Sequence, residues 1–128
     1  SNLPLYENVL LDVYDFLAER LKDTDLLGIP RSKIVVDPGI GFGKTMEHNL
    51  SLLNGLSLFH SLGCTVLLGA SRKRFIGTIT GEAEPKKRLA GSIAVSLEGL
   101  RQGVQILRVH DIVGNYQATK MWKAMNCD

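Results

Sequence analysis

The sequence predicts an α/β fold on a parallel sheet. Short β-branched or apolar runs alternate along the chain with longer amphipathic ones. The strand-like runs are apolar on both faces, as in a sheet covered by helices on each side. At 128 residues, 45% hydrophobic and 22% charged, the chain fits one globular domain with a sizeable core.

From Pro4 to about Leu27, Leu5, Val9, Val13, Phe16, Leu17 and Leu21 recur at three- and four-residue steps, an amphipathic helix stopped by Gly28 and Ile29-Pro30. Lys33 to Asp37 is a β-branched strand that ends in Gly39, Gly41 and Gly43. A second helix spans His48 to Leu62 and stops at Gly63, and Thr65 to Gly69 is a second strand. A loop through Pro85 leads to a third helix from Lys86 to Gln102. Ile106 to His110 is the third strand and Gly114 to Met125 the last helix. This order implies right-handed crossovers between parallel strands, in either a doubly wound open sheet or a slice of a closed barrel. In both, functional groups collect where strands end, and here those ends carry Asp37, Ser71 to Arg74, and Arg108, His110 and Asp111.

Asp37-Pro-Gly-Ile-Gly-Phe-Gly-Lys44 sets a carboxylate at a strand lip before glycines that admit a planar ligand to the backbone. A carboxylate accepts paired hydrogen bonds from a guanidine-like edge; the plainer alternative is an Asp that stabilises a turn or caps a helix. Gly43-Lys44-Thr45 invites a P-loop reading, but Pro38 stands where that motif needs its first glycine. Ser71-Arg72-Lys73-Arg74 brings several donors to one rim, and if extended it points Arg72 and Arg74 opposite to Lys73. Arg108 and His110, two apart on a strand, share a face suited to phosphate or pyrophosphate, with Val109 turned into packing.

A net charge of +2 is too mild for a nucleic-acid surface, and no apolar run approaches the roughly 20 residues of a membrane-spanning helix. No secretory signal pattern is visible. Cys64 and Cys127 form neither a zinc pattern nor a disulfide framework, which fits a reducing, cytoplasmic setting.

In order and spacing, Asp-Pro-Gly-Ile-Gly-Phe-Gly-Lys, Ser-Arg-Lys-Arg-Phe-Ile-Gly and Arg-Val-His-Asp resemble the dihydropteroate synthases over essentially the whole chain, and Arg88 to Val95 looks like their penultimate helix. The resemblance implies the last three strands of a (β/α)8 TIM barrel, with residues 1–128 as the C-terminal portion of one pterin-binding domain whose N-terminal half is absent. Members of that family are transferases of folate biosynthesis. They join 6-hydroxymethyl-7,8-dihydropterin pyrophosphate to p-aminobenzoate with magnesium, and sulfonamides compete for the p-aminobenzoate site.

By the same resemblance Asp37 and Lys73 contact the pterin, Phe42 and the Arg74 backbone border the p-aminobenzoate pocket, and Arg108 and His110 hold pyrophosphate. Lys73, Arg108 and His110 are thereby the expected catalytic groups. No metal ligand is assigned within the chain; the magnesium ligand is expected in the N-terminal half, so the 128 residues alone are expected to be inactive. A homodimer is expected, with the helix Lys86 to Gln102 and its small residues Gly91, Ala94 and Gly99 as one candidate face. Two alternatives stand beside this reading: the pterin domain of a methyltetrahydrofolate-dependent methyltransferase, and a non-catalytic fragment that only self-associates.

Overall fold

The computed structural model describes residues 6–126; Pro4, Leu5 and Cys127 lie outside them. Helix α1 (Val9–Leu26) precedes strand β1 (Val35–Val36), and α2 (Met46–Asn54) with a 3-10 segment (Leu56–Leu62) precedes β2 (Thr65–Leu68). Then come α3 (Arg74–Thr80), α4 (Leu89–Arg101), β3 (Ile106–Leu107) and α5 (Ile112–Asn126). The strands form one parallel sheet in the order β1-β2-β3, with Val35 beside Thr65, Val36 beside Val66, Leu67 beside Ile106 and Leu68 beside Leu107.

Because side chains alternate along a strand, this register sorts the sheet into two faces. Val36, Val66 and Leu68 point into the helical layer and are buried with Leu52, Leu56 and Phe59. Val35 and Ile106 point the other way and remain exposed. That second face is the inner wall of a barrel, and the fold is the C-terminal part of a (β/α)8 TIM barrel, as the sequence predicts.

Several boundaries differ from those read from sequence, each for a local reason. Helix α1 opens at Val9, where the Leu11 N–H donates to the Asn8 side chain at 3.2 Å. The predicted helix from His48 to Leu62 starts at Met46, capped by Thr45, and breaks at Gly55, where a Cβ would overlap the Leu10 side chain of α1; the remainder tightens into 3-10 turns. Arg74 to Thr80, read as loop, is a helix closed by Gly81 in the left-handed region. In turn the predicted helix from Lys86 is delayed to Leu89, after a 3-10 turn over Pro85–Lys87. The last helix begins two residues before Gly114, at Ile112, the Asn115 N–H donating to the Asp111 carbonyl at 3.1 Å. Edge strands β1 and β3 each pair over only two residues, one with the first half of β2 and the other with its second half.

The glycines of α4 pack within the chain itself, which leaves only exposed Ala94 of the three small residues for a docking face. A Cβ on Gly91 would overlap Ile76 of α3, and one on Gly99 would meet Leu68 of β2 at 2.6 Å. At the same helix end, buried Gln102 donates to the Leu53 carbonyl at 2.5 Å and accepts the Ser57 N–H at 3.0 Å, tying the end of α4 to α2 and to the 3-10 segment.

Phe59 is fully buried, whereas Phe16 on α1 is 62% exposed. Phe59→Ala should therefore cost about 3–5 kcal/mol in urea unfolding, while Phe16→Ala should stay within about 0.5 kcal/mol. Equal effects from the two substitutions would contradict the burial described.

Candidate active site

The site grows from three consecutive strand ends on one rim of the sheet. At the end of β1, Asp37 turns the chain by accepting the Gly39 N–H at 2.8 Å. The loop then passes Gly39, Gly41 and Gly43, all at positive φ, a path open to residues without a Cβ. Ile40 is fully buried and pins the loop from below, and buried Asn49 of α2 accepts the Gly41 N–H at 2.8 Å. Lys44 folds back onto its own loop, donating to the carbonyls of Gly39 at 2.8 Å and Phe42 at 2.9 Å, an arrangement unlike a P-loop lysine. The Phe42 ring stands exposed with the Lys73 ammonium 4.0 Å from its centre, a cation–π pair.

At the end of β2 the segment is not extended, so the expected alternation of Arg72 and Arg74 against Lys73 does not occur. Arg72 takes φ 61°, alone in that region among the described non-glycine residues. Its N–H donates to Ser92 Oγ at 2.9 Å, and its carbonyl accepts from Arg88 at 2.8 Å. Its side chain turns away from the cluster to Asp111, 2.8 Å between Nη2 and Oδ1. Asp111 is thereby engaged by an arginine rather than presented for a metal ion. After this corner Lys73 sends its side chain along Gly41 toward Phe42, while Arg74 begins α3 with an exposed side chain.

At the end of β3, Arg108 lies across Gly69, where a Cβ would overlap its guanidinium, and its Nη1 is 3.7 Å from Asp37 Oδ2. His110 sits on Ser71, with the ring Nδ1 3.0 Å from Ser71 Oγ and the backbone N–H donating to the same oxygen at 3.3 Å. Gly69, Ser71, Lys73, Arg108, Val109 and His110 line a cavity of about 270 Å³. Arg108 and His110 thus face one space, as read from their spacing, but Val109 is half-buried and borders that space instead of packing wholly inside. Arg74 borders a different cavity, of about 450 Å³, with Gly41, Lys44, Asn49 and Thr78.

The electrostatics follow from this crowding of cations. Burial, and then the positive charge of Arg108, push the Lys73 ammonium below its ordinary pKa against the opposing pull of Asp37. Burial also lowers Lys44, again opposed by Asp37. Hydrogen bonding from Arg72 holds the Asp111 carboxyl below the usual carboxylate range. Among the described residues no three His, Cys, Asp or Glu side chains cluster closely enough to hold a metal ion. No described helix is long and apolar enough to cross a membrane. Sequence reasoning gave no site role to Asn49, Arg88 or Ser92; Asn49 supports the site from α2, Ser92 from α4 and Arg88 from the residue before α4.

The fold and rim define an α/β barrel segment whose strand ends gather cationic and polar groups around open cavities. A profile of the family described as pterin binding enzyme matches residues 1–110. Dihydropteroate synthase of Neisseria meningitidis serogroup B is 39% identical over 125 residues, covering 95% of this chain and 44% of that protein. The enzyme of Haemophilus influenzae is 40% identical, with 94% and 44% covered. Among solved structures, dihydropteroate synthase from Xanthomonas albilineans in complex with 7,8-dihydropteroate superposes with TM-score 0.95 at 40% identity, covering 98% of this chain and 48% of its own. The Thermus thermophilus enzyme with 4-aminobenzoate gives 0.89 at 41% identity, with 94% and 46% covered. The chain belongs to the pterin binding enzyme family, and it matches the C-terminal part of dihydropteroate synthases. It spans less than half the length of those relatives.

The Arg72–Asp111 pair offers a test by pH. A carboxyl whose pKa is depressed in the folded state adds stability that is complete above its unfolded value, about 4, and is lost as pH falls through the folded value. Asp111→Asn should therefore lower the urea midpoint at neutral pH, with the gap to the unaltered chain closing below about pH 4. A gap that persists undiminished in acid would show that the pair is not its source.

Proposed function

We propose that the protein carrying this chain is a dihydropteroate synthase, a transferase of folate biosynthesis. It condenses 6-hydroxymethyl-7,8-dihydropterin pyrophosphate with p-aminobenzoate, giving 7,8-dihydropteroate and pyrophosphate. Residues 1–128 are read as the C-terminal portion of its single barrel domain. The observation that carries this is the convergence of Arg108, His110 and Lys73 on one cavity at the rim, beside Asp37 and Phe42.

In this reading the Asp37 carboxylate and Lys73 hold the polar edge of the pterin, and Phe42 with the Arg74 backbone borders the p-aminobenzoate pocket. Arg108 and His110 bind the pyrophosphate. When the pterin methylene carbon–oxygen bond breaks, its electron pair leaves with pyrophosphate, and two preorganised donors meet the growing negative charge. The amine of p-aminobenzoate then attacks the pterin-stabilised cation, forming the carbon–nitrogen bond and releasing a proton. Such an amine needs positioning more than a strong base. Magnesium would be held by residues outside these 128, and sulfonamides would compete with p-aminobenzoate. A methyltetrahydrofolate-dependent methyltransferase has no pyrophosphate for Arg108 and His110 to bind. Buried, unpaired Cys64 suits the reducing cytoplasm in which we place the protein.

Lys73→Ala or Arg108→Ala in the full-length enzyme should lower turnover by about 100-fold or more, as loss of one preorganised charge does. Arg108→Lys should stay clearly impaired, because an ammonium does not replace a fork of donors. The 128 residues alone should form no dihydropteroate. Near-normal rates in both alanine variants would end the assignment of these residues.

A homodimer is part of this reading. Helix α5 exposes Val113 at 82%, Tyr116 at 63% and Met125 at 70%, together with Ile112 and Met121, a large apolar area for one helix to leave open. Light scattering at micromolar concentration should give twice the chain mass, and Val113→Glu should return it to one. A monomer before any substitution would count against the dimer.

A further inference from the structure

Ser71 supports His110 in a way that decides which ring nitrogen carries the proton. Its oxygen lies 3.3 Å from the His110 backbone nitrogen and 3.0 Å from His110 Nδ1. The amide can only donate, so the serine oxygen accepts there. The hydroxyl keeps one proton to give away, Ser71 is 9% exposed, and Nδ1 is the one acceptor within hydrogen-bond reach of it among the described residues. Ser71 is itself held in place, because the next residue, Arg72, is fixed by Ser92, Arg88 and Asp111.

We propose that Ser71 is a positioning residue whose hydroxyl donates to His110 Nδ1, keeping the ring proton on Nε2 as a donor toward the cavity shared with Arg108 and Lys73. The reverse arrangement, Nδ1–H donating to Ser71, would turn a lone pair toward that space and repel an oxyanion. With the proton on Nε2, His110 serves as a neutral donor beside two cations, with no third positive charge required. The role for pyrophosphate rests on the function proposed above; the hydrogen bond itself does not.

The test records the two ring-nitrogen shifts of each histidine by long-range proton–nitrogen NMR on this chain in mildly alkaline buffer. His48 is the internal reference, because its Nδ1 accepts the Thr45 N–H at 3.2 Å and its proton is pinned on Nε2. His110 should show nitrogen shifts as widely separated as those of His48. Ser71→Ala should narrow that separation toward the mixture of a free ring and weaken binding of inorganic pyrophosphate about tenfold, while Ser71→Thr should preserve both. A proton on Nδ1 of His110 in the unaltered chain overturns the proposal even if Ser71→Ala does not fold. An unchanged separation in folded Ser71→Ala overturns it as well. A narrowed separation with undiminished pyrophosphate binding would leave the hydrogen bond standing and remove the positioning role together with the pyrophosphate reading of the cavity.

Discussion

The left-handed corner at Arg72 is the constraint on which the rest of the site depends. A non-glycine residue at positive φ costs on the order of 1 kcal/mol and persists only where its surroundings impose it. Here they do so from two parts of the chain. Ser92 of α4 takes the Arg72 N–H, Arg88 just before that helix takes the carbonyl, and the residue after His110 takes the guanidinium. The corner converts the direction of β2 into that of α3, and it sends Lys73 one way and Arg72 the other. A straight continuation would have alternated these cations and spread them over two faces of the sheet.

The same corner couples the second and third strand ends. Ser71 precedes it and holds His110; Asp111 follows His110 and holds Arg72. Two adjacent residues of one strand end thus grip two adjacent residues of the next, in parallel. Beneath them Gly69 lets Arg108 lie flat across the sheet. Rigidity at this rim has a chemical use, since donors that do not reorganise stabilise developing charge more effectively than mobile ones. The inner wall below is different in kind: Val35 and Ile106 are apolar and open, which suits a sheet that continues into the remaining strands of a barrel.

How much of this was legible in the sequence depends on the distance over which each signal acts. The alternation of elements and the three polar strand ends were readable, because burial of a two-faced strand and exposure of a strand end both leave marks within a few residues. The segment Arg74 to Thr80 was not, since it is short, carries an internal glycine and follows a basic run that reads as loop. Nor could periodicity reveal the break at Gly55, which is imposed by Leu10, 45 residues earlier in the chain. The roles of Ser92 and Arg88 could not be read for the same reason: their partner is the Arg72 backbone, reached only through the fold. The glycines of α4 were noticed and misassigned, because close packing within a chain and between chains asks for the same residues.

The charge balance of the rim differs from that of the ion pair beside it. Lys44, Lys73 and Arg108 all act on the one carboxylate of Asp37, and two of them are pushed toward their neutral forms, chiefly by burial. A network evolved for stability alone would match its charges, since an uncompensated buried cation is expensive. The Arg72–Asp111 pair a few ångströms away is matched in this sense, one guanidinium to one carboxylate at 2.8 Å. The rim leaves its excess positive charge on the lining of an open cavity instead. An oxyanion entering there would offset the repulsion between Arg108 and Lys73 and favour the charged form of Lys73.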